Sequence, residues 1–150
     1  MSQFFQFESD FATTLRCIPM TVRYKLDRCG VKLKLHHWHH LTDEERQTLL
    51  NAHCATEAEA LSYRALLHQF VQAHMDELPA DLPIESAPAW ADLATIPESV
   101  QEQGKSVGFP LTAGQWASLT ALQRFVLFKL SRSSHENSNF LPALREFHLI

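Results

Sequence analysis

The sequence predicts an all-α protein, a single helical domain over residues 1–150 built from two copies of a three-helix unit. Three observations predict it. Apolar residues recur at helical spacing along most of the chain, and no stretch sustains the period-two alternation of a half-buried strand. Residues 18–50 also reappear, without a gap, as residues 96–128. A shift of 78 positions pairs Ile18 with Ile96, Pro19 with Pro97, Val22 with Val100, Gly30 with Gly108 and Leu33 with Leu111. It also pairs Trp38 with Trp116, Leu41-Thr42 with Leu119-Thr120, Arg46 with Arg124 and Leu49 with Leu127. These are ten identities in 33 positions, where average residue usage gives about two. Residues common to both copies read as architecture, so function is sought among residues present in one copy only.

Phe4, Phe7, Phe11 and Leu15 recur at helical spacing and predict a helix over 9–17 with an aromatic face. Pro19 ends it and fits the first turn of a helix running to about Arg28, with Gly30 as its C-terminal cap. Residues 35–41 predict a short helix around Trp38. Thr42-Asp43-Glu44-Glu45 is a capping box opening a helix with Arg46, Leu49 and Leu50. Thr56-Glu57-Ala58-Glu59 repeats it before the longest helix, which runs to about Met75.

Residues 76–96 change character: Pro79, Pro83 and Pro88 interrupt any helix, and Asp76, Glu77, Asp81, Glu85 and Asp92 make the stretch acidic. It reads as the join between the copies, pinned by Trp90 and Leu93. Helices follow at about 97–105, 112–119 and 120–132, the last apolar nearly all round and therefore central. Pro142 suits the first turn of a final helix with Leu144 and Phe147.

The net charge of -4 and pI of about 6.1, with no basic stripe, argue against a nucleic-acid partner. Phe125-Val126-Leu127-Phe128 is the longest apolar run within a predicted helix, far short of a membrane span. The start Met1-Ser2-Gln3-Phe4 lacks the pattern of a signal peptide. Cys17, Cys29 and Cys54, an odd count, imply free thiols in a reducing compartment, the cytoplasm. Their spacing excludes a zinc knuckle, and they read as buried structural thiols, with Cys29 the more exposed. Four glycines leave no phosphate-cradling loop, and no G-x-S-x-G, H-E-x-x-H or C-x-x-C occurs. No enzymatic activity and no cofactor is expected.

His36-His37-Trp38-His39-His40 puts His36 and His40 one turn apart, a spacing that can chelate a borderline metal, with His53 or Cys54 as a third ligand. The register partners Gly114, Gln115, Ala117 and Ser118 cannot ligate that way, which favours a solvated, histidine-rich face. Trp38 and Trp116 read as core anchors. Arg46 and Arg124 read as structural, holding carbonyls at a helix end or pairing with a carboxylate. The segment Arg132 to Phe140 has no counterpart in the first copy. It either caps the final helix through Asn139 or forms a recognition surface.

The opening Phe5-Gln6-Phe7-Glu8-Ser9-Asp10-Phe11, Leu15-Arg16-Cys17-Ile18-Pro19-Met20 and Val22-Arg23-Tyr24-Lys25-Leu26-Asp27 with Gly30 resembles the nitrate reductase-associated protein family. So do Leu122-Gln123-Arg124-Phe125, Lys129-Leu130-Ser131-Arg132, His135-Glu136-Asn137 and Asn139-Phe140. The resemblance covers nearly the whole chain except the acidic linker, and the histidine cluster is not part of it. It implies a cytoplasmic, non-enzymatic helper that supports production or maturation of active assimilatory nitrate reductase by binding protein. Arg132, His135, Glu136, Asn137 and Asn139 are the candidates for the partner-binding patch. The competing reading is a small metal- or cofactor-binding helical protein using His36 and His40.

Overall fold

The structure, a computed structural model, describes residues 4–9, 17–132 and 137–150, with only the backbone of Asn137. It is mostly helical and divides into two compact units, Met1–Ile84 and Glu85–Ile150, at a boundary inside the predicted linker. The helix expected over 9–17 lies, apart from its two end residues, outside the described residues.

The first unit begins with a 3-10 turn, Gln6–Glu8, whose Glu8 carboxylate is buried. Its Oε1 accepts from the Phe5 N–H (3.2 Å) and its Oε2 from the Met20 N–H (3.2 Å). Met20 is the first residue of helix α1 (Met20–Cys29), so Glu8 supplies an anion to that helix N-terminus. Gly30 ends α1 at φ +73°, the left-handed cap expected of it. A Cβ there would also lie 2.8 Å from Ile84 Cγ1, so both the turn and the packing call for glycine.

All-α needs one correction. Strands β1 (Val31–Lys32) and β2 (Ala80–Asp81) pair antiparallel, Val31 opposite Asp81 and Lys32 opposite Ala80. Two-residue strands are too short to carry a period-two pattern. Their pairing is extended by the Leu82 N–H and the Arg64 guanidinium, which both donate to the Gly30 carbonyl (2.8 and 3.1 Å).

Helix α2 (Leu35–His40) buries Trp38 completely, and helix α3 (Asp43–Asn51) follows after a single turn. The Thr42 capping box closes as expected: Glu45 N–H donates to Thr42 Oγ1 (3.1 Å) and Thr42 N–H to Glu45 Oε1 (2.8 Å). Helix α4 (Glu57–His74) opens with the same device at Thr56 and Glu59. The carbonyls at the end of α3 and in the following loop are collected by polar groups of α1 and α4. Lys25 Nζ donates to Leu50 O (2.8 Å), Tyr63 Oη to Leu49 O (2.8 Å) and Arg28 Nε to Cys54 O (2.8 Å). Of these, Lys25 is a cation facing the C-terminus of α3, the favourable sign for the helix dipole. Val22, Trp38, Leu49, Tyr63 and Leu67 are central in the apolar core they enclose.

In the second unit a 3-10 turn, Ala89–Ala91, buries Trp90 edge-on against Phe125, ring centroids 5.7 Å apart. Leu93 is 51% exposed, so it does not pin the linker as expected. Its place is taken by backbone: Asp92 O accepts from Trp116 Nε1 (2.8 Å). Helices α5 (Glu98–Ser106) and α6 (Ala113–Ser118) precede α7 (Ala121–Arg132), in which only Arg132 is exposed. Thr112 with Gln115, and Thr120 with Gln123, form capping boxes at the starts of α6 and α7. A 3-10 turn, Asn137–Asn139, leads into α8 (Phe140–Glu146), with Pro142 in its first turn.

Candidate functional site

The two register-matched arginines hold carbonyls at helix ends, one of the roles expected of them. Arg46 Nε donates to Trp38 O (3.0 Å) and its Nη2 to His39 O (2.9 Å), in the last turn of α2. Arg124, which is buried, donates from Nε to Trp90 O (2.9 Å) and from Nη1 to Leu119 O, the residue that ends α6. Trp38 and Trp116 are both fully buried, as core anchors are. Both of these residue pairs are thus accounted for by architecture.

The one-copy segment is partly described. Arg132 stands exposed at the end of α7, its guanidinium 5.1 Å from the centre of the Phe128 ring. Among the described residues no carboxylate pairs with it. His135 and Glu136 lie outside the described residues. Asn137 opens the short 3-10 turn. Asn139 precedes α8 but makes no side-chain cap hydrogen bond, which corrects the expectation that it caps the final helix. The cause is local. The 3-10 turn runs straight into α8, so Asn139 sits at φ -88°, ψ -4°, whereas a capping side chain needs extended backbone.

The histidine cluster forms a different constellation from the expected one. His36 Nε2 and His37 Nε2 converge on one oxygen, Glu77 Oε1, at 3.1 and 3.0 Å. All three ligand-type atoms lie within 4.8 Å of one another. The structure therefore groups His36 with His37 and Glu77, not with His40. His40 Nδ1 is instead spent on the His36 carbonyl (2.7 Å). Neither expected third ligand joins: Cys54 is buried with its thiol on Lys25 O (3.7 Å), and His53 is exposed.

Glu77 reaches α2 from just beyond the end of α4, more than forty positions after His36. No sequence spacing foretells that meeting, which exists only because α4 returns the chain. His37 has a second role. It is the third residue of α2, and its Nδ1 accepts the Lys34 N–H (3.1 Å), half of a capping box. The other half is missing because a lysine side chain has no acceptor. With Nδ1 accepting, the neutral ring carries its proton on Nε2 and donates it to Glu77. The bonds from His36 and then His37 hold the Glu77 carboxyl below its ordinary range.

A second imidazole–carboxylate pair joins α4 to α3: His74 Nε2 lies 2.7 Å from Glu45 Oε1, the capping-box oxygen. Two of the thiols, Cys29 and Cys54, are shielded by their environment. Cys29, expected to be the more exposed, is 3% exposed, because it faces inward on the last turn of α1. Burial pushes its thiol up to about 12, and burial also raises Cys54. Cys17 is partly exposed.

Among the described residues no helix is long and apolar enough to cross a membrane. A family model, conserved nitrate reductase-associated protein, matches residues 4–147. No curated protein and no solved structure matches the chain.

Proposed function

The chain belongs to the conserved nitrate reductase-associated protein family, and we propose that it is a non-enzymatic accessory protein that binds assimilatory nitrate reductase and supports its maturation in the cytoplasm. The family match over residues 4–147 carries this reading. Arg132 supports the proposed patch. It is the exposed end of an otherwise covered helix, held over Phe128 and free of any described acid partner. A guanidinium displayed in this way is suited to a partner carboxylate or an aromatic face. His135, Glu136, Asn137 and Asn139 follow it closely in sequence and are assigned to the same patch on that ground alone.

The test is reductase expressed with and without this protein. Lower reductase activity in its absence, together with co-purification of the two chains, supports the proposal. Arg132→Glu should weaken the complex while leaving the fold intact, because the side chain is exposed. Fully active reductase made without the protein, and no complex, would overturn the proposal.

We also infer that the two units descend from one duplicated element. Met20–Cys29, Leu35–His40 and Asp43–Asn51 start at positions 78 before Glu98–Ser106, Ala113–Ser118 and Ala121–Arg132. Leu41 and Leu119 end their helices at φ -73° alike, and Gly30 and Gly108 both have positive φ. Related chains provide the check: the same register should recur in them, and one that drifts from chain to chain would overturn the inference.

A further inference from the structure

We propose that His36, His37 and Glu77 form a binding site for a borderline divalent cation of the zinc class, independent of the accessory role. The observation is the convergence of two imidazole nitrogens on one carboxylate oxygen, at 3.1 and 3.0 Å. Zinc takes nitrogen and carboxylate oxygen at about 2.0–2.2 Å, so neighbouring ligands of a tetrahedral ion stand about 3.3 Å apart. The two nitrogen–oxygen separations need to widen by only a few tenths of an ångström. The three donor atoms already lie within 4.8 Å of one another, so closing on an ion takes rotation of side chains and no change of fold. Two histidines and one glutamate are a donor set that zinc favours. The set is also graded in mobility. The His37 side chain is 4% exposed, while those of His36 and Glu77 are each 48% exposed, which leaves an approach for the ion and a position for water as fourth ligand.

His37 gives the site a signature. The cation binds where the Nε2 proton now sits. The proton moves to Nδ1, and Nδ1 can then no longer accept the Lys34 N–H. Occupancy is therefore tied to loss of the bond that begins α2. An ion held only by the exposed pair His36 and His40 would leave that bond in place.

The experiment uses the full, untagged chain titrated with zinc ion, read by calorimetry and by nuclear magnetic resonance of the Lys34 amide and the histidine ring nitrogens. The expected result is one equivalent bound, with the His37 ring passing to the Nδ1–H form and the Lys34 amide shifting. His36→Ala and Glu77→Gln should each weaken binding by about tenfold or more, and His40→Ala should not. Both altered side chains are half-exposed, so the fold survives the test. No binding, or binding that survives Glu77→Gln and is lost with His40→Ala, would overturn the site.

Discussion

Arg46 donates through Nε to the backbone carbonyl of Trp38 at 3.0 Å, while its guanidinium lies 6.0 Å from the centre of the same residue's indole ring. One side chain thus satisfies the end of α2 and covers the ring that anchors it. Arg124 does the corresponding work on Leu119 O and Trp90 O. Removing either side chain takes away two charge-assisted hydrogen bonds to backbone carbonyls, although Trp38 O keeps the Leu41 N–H (3.2 Å). Arg46→Ala and Arg124→Ala should each lower the unfolding free energy by about 1–3 kcal/mol. Lysine should restore only part, because an ammonium lacks the fork that spans two carbonyls. Urea unfolding followed by circular dichroism decides, and an unchanged midpoint in both would refute this role.

Trp38→Ala and Trp116→Ala each remove a fully buried indole. Each should cost about 3–5 kcal/mol. The same unfolding measurement applies, and a loss near zero at either position would show that the ring is not an anchor.

Acid should destabilise the first unit through carboxylates whose folded values are depressed. Burial raises Glu45, but the Thr42 N–H and His74 outweigh it and bring the group below its ordinary 4.5. Arg64 holds Asp81 below its ordinary 3.8. The unfolded chain binds these protons at higher pH than the folded chain does. Their contribution is therefore complete above the ordinary values and is lost as pH falls through the lower, folded ones. The urea midpoint should be level near neutrality and fall below about pH 4.5. Glu45→Gln and Asp81→Asn should flatten that fall. Parallel acid curves for the wild type and both variants would contradict the assignment.

Thiol chemistry should discriminate by position. Under native conditions an alkylating reagent should modify Cys17 and spare Cys29 and Cys54, which are buried and have raised thiol pKa values. Peptide mapping after a short exposure reads the outcome, and fast labelling of Cys29 would contradict its placement.

Much of the fold was legible because its signals are local. Thr42 with Glu45, and Thr56 with Glu59, announced their helices by side-chain spacing alone. Thr112-Ala113-Gly114-Gln115 and Thr120-Ala121-Leu122-Gln123 carry the same spacing and could have been read in the same way. The paired strands could not, since two residues show no period and their partner lies across α4. Leu93 was misplaced because an apolar residue in a linker shows nothing about the direction it faces. The site divided along the same line. The role of Arg46 and Arg124 was suggested by their matching places 78 positions apart, whereas Glu77 meets His36 and His37 only after the chain has turned back. Asn139 failed as a cap because the turn before it is itself helical, a property of three residues and not of one.

All three tryptophans of the chain, Trp38, Trp90 and Trp116, are buried. Their emission should therefore lie to the blue, resist quenching by iodide, and move to the red only when the units open. A partner that docks on the surface around Arg132 would leave that signal almost unchanged. Intrinsic fluorescence is thus a reporter of unfolding in this protein and a poor reporter of complex formation.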